Sequence, residues 1–190
     1  IEQDLARIKR MFPSLSENGR VLVVNGLRRV HENGNSTEIY GHFRDGILYI
    51  NASSPRGAGF HEAFHYAVQT LMTESEVNTL FEEARTLYGD MSNMALEERL
   101  SEDFRHFMNG FDNSSILGKI KSMFRNLKYI IKQITGNINY LDNLFYSMYK
   151  GNYANRKEVL EDTFRRDLLR YKNSKVAYEY LSESIRESLM

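Results

Sequence analysis

The chain has no cysteine. Disulfides and thiolate metal sites are therefore excluded, which leaves His and carboxylate side chains as the available metal ligands. It also lacks an apolar run of about 18 residues, the length a membrane-crossing helix requires, and its first residues do not form a signal peptide. A membrane partner is not expected, and the cytosol is the expected compartment. Internal repeats and low-complexity tracts are missing too. The chain starts at Ile1 rather than Met, which fits a piece of a larger precursor.

Acidic residues are absent from the whole stretch between Asn113 and Leu141. The zero net charge hides this asymmetry. Residues 1–112 carry 11 Lys/Arg and 17 Asp/Glu, or −6; subtraction from 25 of each leaves 14 and 8 for residues 113–190, or +6. The change of sign falls in Asn109-Gly110-Phe111-Asp112-Asn113-Ser114-Ser115, a polar, turn-rich stretch that reads as a boundary. A core over 1–112 and a C-terminal extension over 113–190 are expected, with 190 residues enough to bury a sizeable interior.

Hydrophobic spacing supplies the elements. Leu5, Ile8, Met11 and Phe12 predict an opening helix stopped by Pro13. Val21-Leu22-Val23-Val24 favours a strand because it is rich in valine. Residues 38–43 and 46–50 alternate at period two around Asp45-Gly46, the pattern of a β-hairpin with a tight turn. Phe60, Ala63, Phe64, Ala67, Val68 and Leu71 then follow helical spacing. Thr73-x-x-Glu76 forms a capping box before a second helix that ends at Gly89. A third helix spans about Met94 to Met108, with Leu96, Leu100, Phe104 and Phe107 inward. Beyond the boundary the patterns are all helical: Ile120 to Ile134, Leu141 to Met148 before Gly151-Asn152, and Val159 toward Leu181.

The chemistry concentrates in His61-Glu62-Ala63-Phe64-His65. Residues four apart on a helix share a face, so His61 and His65 can both present ring nitrogens to one metal ion. In this H-E-x-x-H arrangement the intervening Glu62 serves as general base toward a water. A catalytic zinc takes three protein ligands. The third helix offers Glu98 and Glu102 on one face: one can bind metal while the other accepts the spare ring N–H of a ligating histidine. Glu97 is the rival to Glu98 as ligand and is expected to face solvent.

With these residues in place, the sequence resembles the zincin metallopeptidases of the gluzincin type. In those the third ligand is a Glu on a helix downstream of H-E-x-x-H, with an acidic residue four positions later. The resemblance implies His61, His65 and Glu98 as Zn2+ ligands, Glu62 as base and Glu102 as the carboxylate behind a ligating histidine. Glu98-x-x-Ser101-Glu102-x-Phe104 is close to the E-x-x-A-E-x-F form of compact zincins, with Ser where Ala is usual. The order of hairpin, Gly-Phe-His-Glu-Ala-Phe-His, Thr-capped helix ending Tyr88-Gly89, and Glu helix looks like the minimal zincin-like domains of large polyvalent phage and mobile-element proteins. It covers about residues 38–108. The implied fold is α+β, a small sheet packed on the H-E-x-x-H and Glu helices, with an all-helical C-terminal region. The implied activity is endopeptidase cleavage, with a peptide or protein substrate, a larger precursor or virion proteins as partners, and a host cytoplasm or virion as setting. It also gives Ile47–Asn51 the part of the substrate-aligning edge strand. Tyr88, by its order in the chain, becomes the candidate hydrogen-bond donor to the reacting oxygen.

The remaining histidines are weaker candidates. His31 and His42 lie near turns and read as solvated, and His106 is offset from the Glu102 face. Lys119, Lys121, Arg125, Lys128 and Lys132 lie opposite an apolar stripe and read first as a solvated face. The rival function draws on these helices: a structural or packaging module that binds a partner or nucleic acid, with the metal site structural or inactive.

Overall fold

Two short helices, α1 (Glu2–Met11) and α2 (Pro13–Glu17), bury Leu5, Ile8, Met11 and Leu15 beneath a small sheet. Pro13 begins α2 rather than only ending α1, as suits a residue whose missing N–H is unneeded in a first turn. The computed structural model describes residues 1–159 apart from 18, 45 and 112–114, together with the backbone of two strands, 177–179 and 182–184.

Five strands follow: β1 (Val21–Asn25), β2 (Arg28–Val30), β3 (Ser36–Glu38), β4 (Gly41–Arg44) and β5 (Ile47–Asn51). β4 and β5 form the expected hairpin, with Gly41 opposite Ile50 and Arg44 opposite Ile47. Gly46 in its turn has φ 79°, the positive value a tight turn demands. β5 then runs parallel to β1, pairing Val21 with Leu48 and Val23 with Ile50. The described strands near the C-terminus are β6 (Ala177–Glu179) and β7 (Ser182–Ser184). The main sheet has the order β4-β5-β1-β7 and a second sheet the order β3-β2-β6.

This topology changes two expectations. Ile47–Asn51 is not an edge strand: β5 is paired on both sides, and among the described residues β4 is the edge. The C-terminal region is not all helical either, because β6 and β7 add to β2 and β1. Helical spacing within that region could not reveal pairing with strands some 150 residues earlier in the chain. Most of the pattern from Val159 toward Leu181 lies outside the described residues.

The helices then pack on the sheet. α3 (Ala58–Tyr66) carries the H-E-x-x-H motif and continues into a π-helical turn, Ala67–Leu71, closed by Met72 N–H to Ala67 O at 3.0 Å. Buried Asp4 on α1 accepts the Gly57 N–H at 2.8 Å, so a carboxylate stands at the start of α3, where backbone donors are otherwise unsatisfied. α4 (Glu74–Tyr88) has the complete Thr73/Glu76 capping box, and α5 (Asn93–Asn109) is capped by Ser92. α6 (Ile116–Ile134) and α7 (Tyr140–Tyr149) follow the charge boundary.

α7 does not build a core of its own. The Phe145 ring lies 5.7 Å from Phe64 and 5.4 Å from Phe104, and those two lie 5.3 Å apart, so α3, α5 and α7 share one aromatic cluster. Beyond α7 the chain turns back. Arg156 holds Glu76 with two hydrogen bonds of 2.7 and 2.8 Å, Glu158 pairs with Arg20 and accepts from the Tyr66 hydroxyl, and Val159 N–H reaches Thr70 O.

Two outcomes follow from this packing. Phe145→Ala should cost about 3–5 kcal/mol, the range for emptying a buried aromatic position. Unfolding of the variant in urea should remain a single transition, whereas a separate early transition would mean that α7 belongs to an independent unit. The Arg156 hydrogen bonds hold the Glu76 carboxyl below its ordinary 4.5. A depressed carboxyl stabilises the fold fully above that value and stops doing so as pH falls through the lowered one. Glu76→Gln retains a capping side chain, so it should cost up to about 1 kcal/mol at pH 7. The gap between the midpoints of the variant and the parent chain should narrow as pH falls below 4.5.

Candidate metal centre

α3 places His61 and His65 one turn apart, while the apolar side of the same helix, Phe60, Ala63 and Phe64, is fully buried. α5 crosses it, driven by its own buried Leu96, Leu100 and Phe104. The crossing brings Glu98 against both histidines. His61 Nε2 is 3.3 Å from His65 Nε2 and 3.3 Å from Glu98 Oε2, and His65 Nε2 is 3.5 Å from Glu98 Oε1. One ligand atom from each of the three residues lies within 4.8 Å of the other two. His61, His65 and Glu98 could therefore hold a metal ion. Among the described residues no further His or carboxylate joins that group.

Exposure grades across the triangle. The His65 side chain is 6 % exposed, His61 20 % and Glu98 56 %, so the centre is closed toward the core and open on the Glu98 side. An ion held here would keep solvent or ligand access on one face only.

Both rings are oriented from behind. Glu97 is fully buried and accepts a 2.6 Å hydrogen bond from His65 Nδ1, which turns Nε2 toward His61 and Glu98. Gln69, on the π-helical turn, donates to the same Glu97 oxygen at 2.9 Å. Glu102 Oε2 lies 3.5 Å from His61 Nδ1, and Arg105 and His106 also hold that carboxylate. The expectation that Glu97 faces solvent is thus overturned. Glu97, Leu100, Ser101, Phe104 and Met108 share one helical stripe, all of it buried. That i, i+3, i+4, i+7 spacing was readable in the sequence, but a carboxylate enters such a stripe only when donors from another element meet it.

Electrostatics follow the packing. Burial pushes the Glu62 carboxyl above the usual carboxylate range, against the pull of both histidines and the Phe43 backbone N–H. Burial opposes a charge on His65, yet the Glu97 hydrogen bond and charge outweigh it and raise the ring to about 9. The hydrogen bond with His61 lowers Glu98, and that with Arg105 lowers Glu102.

The Glu62 side chain lies against β4 and accepts the Phe43 backbone N–H. A Cβ built on Gly41 of β4 would stand 2.7 Å from Glu62 Cγ and 3.1 Å from Oε1, so the strand can approach only because residue 41 is glycine. Sequence reasoning placed Gly41 in a strand without this role, since the contact joins residues 21 positions apart. His42, next on β4, is half-buried and stacked on Tyr49, with rings 6.0 Å apart, rather than solvated. Burial and the nearby Arg44 and Arg29 hold it down to about 4.

Tyr88 is not among the groups gathered here. Its hydroxyl donates to Asp103, Arg99 lies over its ring, and burial together with Asp103 raises it to about 12. His31 is exposed and bonded to Thr37, while His106 pairs with Glu102.

The geometry separates the roles of the adjacent acids. Glu98→Ala should abolish high-affinity metal binding. Glu97→Gln keeps the volume but weakens the grip on His65, and should reduce affinity about 10–100-fold. Titration calorimetry on both variants checks this; unchanged affinity in Glu98→Ala would remove that residue from the ligand set. Comparison of the chain with family models, with curated proteins and with solved structures gave no match.

Proposed function

We propose that the chain is a zinc-dependent endopeptidase of zincin-like type. One observation carries the reading: Glu62 lies between the His61/His65/Glu98 group, which could hold a metal, and β4, the last strand on that side of the sheet among the described residues. Metal site, base and a strand able to align an extended chain then lie side by side. Two imidazoles and one carboxylate, with no thiolate, form a donor set that suits zinc. When bound, zinc supplies Lewis acidity, which makes a water more acidic and polarises a carbonyl.

The chain's own residues perform the remaining tasks. An extended peptide adds antiparallel to β4 through backbone hydrogen bonds, and side-chain pockets alongside give preference. Glu62 accepts the proton of the attacking water as its oxygen bonds to the scissile carbonyl carbon. The same carboxyl then delivers that proton to the amine nitrogen as the C–N bond breaks. Glu97 and Glu102 keep the two imidazoles aimed, so the ligand triangle does not have to be assembled during turnover.

Glu62→Gln preserves size and polarity and removes the proton acceptor. Cleavage of a diverse peptide library should fall at least about a hundredfold with metal content unchanged. Chelation should abolish the cleavage and zinc should restore it. If the zinc-loaded parent cuts nothing that the variant does not, the peptidase reading fails. Gly41→Ala tests this placement: the new methyl must displace Glu62, so turnover should drop while metal stays bound, at a stability cost of about 1–3 kcal/mol.

A further inference from the structure

We propose that α6 is an interfacial helix that seats this chain on an anionic lipid surface. Its apolar residues recur at helical spacing along the whole element, yet they face outward. Ile116 and Ile134 at its two ends are each 80 % exposed, and Met123, Phe124, Leu127 and Ile131 between them are exposed by half or more. The stripe occupies about 140° of the helix circumference, wider than a surface helix of a globular protein needs to meet its own core.

The helix cannot rotate to bury that stripe, because another side is already committed. Gly118, Ser122 and Tyr129 face the protein, and the Tyr129 ring stacks on Tyr146 at 5.1 Å and meets Phe107 at 5.4 Å. Arg125 lies over the Phe107 and Phe111 rings. The polar residues bordering the stripe include Lys119 on one side and Lys121 and Lys128 on the other, and the helix contains no acidic residue.

Charge and shape select the occupant. A second copy would bring two lysine-bordered stripes together with no carboxylate on either helix to offset them. A lipid surface takes the stripe into its acyl boundary while the flanking lysines extend to phosphates, the arrangement of in-plane amphipathic helices. A groove of about 640 Å³ beside the helix adds a headgroup-sized feature: Leu117 and Phe124 line it together with Lys121, Arg125 and Lys128. Apolar wall and cations side by side match an acidic phospholipid. Such a helix lies in the surface and does not span, and among the described residues no helix is long and apolar enough to cross a membrane.

The test is flotation of the full chain with vesicles of phosphatidylcholine alone, or with about three-tenths phosphatidylserine included. Binding should require the anionic lipid and weaken in high salt. Lys121→Gln/Lys128→Gln should weaken it about thirtyfold, since each juxtamembrane lysine is worth about fivefold. Phe124→Glu/Leu127→Glu should abolish it while leaving the unfolding midpoint and metal content unchanged, because both positions are exposed. Failure to float with anionic vesicles overturns the proposal, as does flotation that ignores these substitutions. A concentration-dependent dimer without lipid that the Phe124/Leu127 variant dissolves would assign the stripe to a second copy. A lowered unfolding midpoint in that variant, with no vesicle binding by the parent, would assign it to residues 160–176 of the chain itself.

Discussion

The buried hydrogen bond between His65 and Glu97 is the contact on which the arrangement of the centre depends. A carboxylate with no solvent exposure is tolerated only where donors meet it, and here His65 and Gln69 supply them from α3 and its π-helical extension. The bond fixes the rotation of α5 against α3. Once Glu97 points inward, the next residue, Glu98, must emerge beside the two Nε2 atoms, and Glu102 one turn later must pass the outer side of His61. A buried polar pair of this kind adds little net stability compared with an apolar contact. Its physical effect is to favour the register of α5 in which Glu97 meets these donors.

The sheet constrains the other side of the site. β4 ends the sheet and lies on α3 so closely that Glu62 occupies the space a side chain at Gly41 would need. Asp4 fixes the first turn of α3, and the returning segment around Arg156 and Glu158 ties α4, Tyr66 and the π-helical turn together. The motif helix is thus gripped at its start, along its apolar side and at its end. Donor atoms that must stay within tenths of an ångström of a shared centre need that kind of support.

Two helices of similar periodicity meet opposite fates in this molecule. α5 turns its apolar stripe inward and carries acids at its rim, whereas α6 leaves its stripe in solvent with lysines at its border. The hydrophobic pattern is equally regular in both. The difference arises because the sheet and α3 offer α5 a complementary surface, while α6 meets its neighbours through a narrow side of small residues and one tyrosine.

Local spacing by itself determined much of this protein: the hairpin around Gly46, the capped α4, the helix beneath His61 and His65, and the pairing of Glu98 with Glu102 on one face. Each depends on residues within a few positions of one another, where backbone geometry leaves little choice. Only the tertiary structure decided that Glu97 is buried and Glu98 open, that β4 and not β5 is the edge, that Gly41 stands against Glu62, that Tyr88 turns to Asp103, and that β6 and β7 return to the sheets. Each of those outcomes depends on which distant element supplies a hydrogen-bond donor, a pairing strand or free space, and periodicity carries no information about partners so far along the chain.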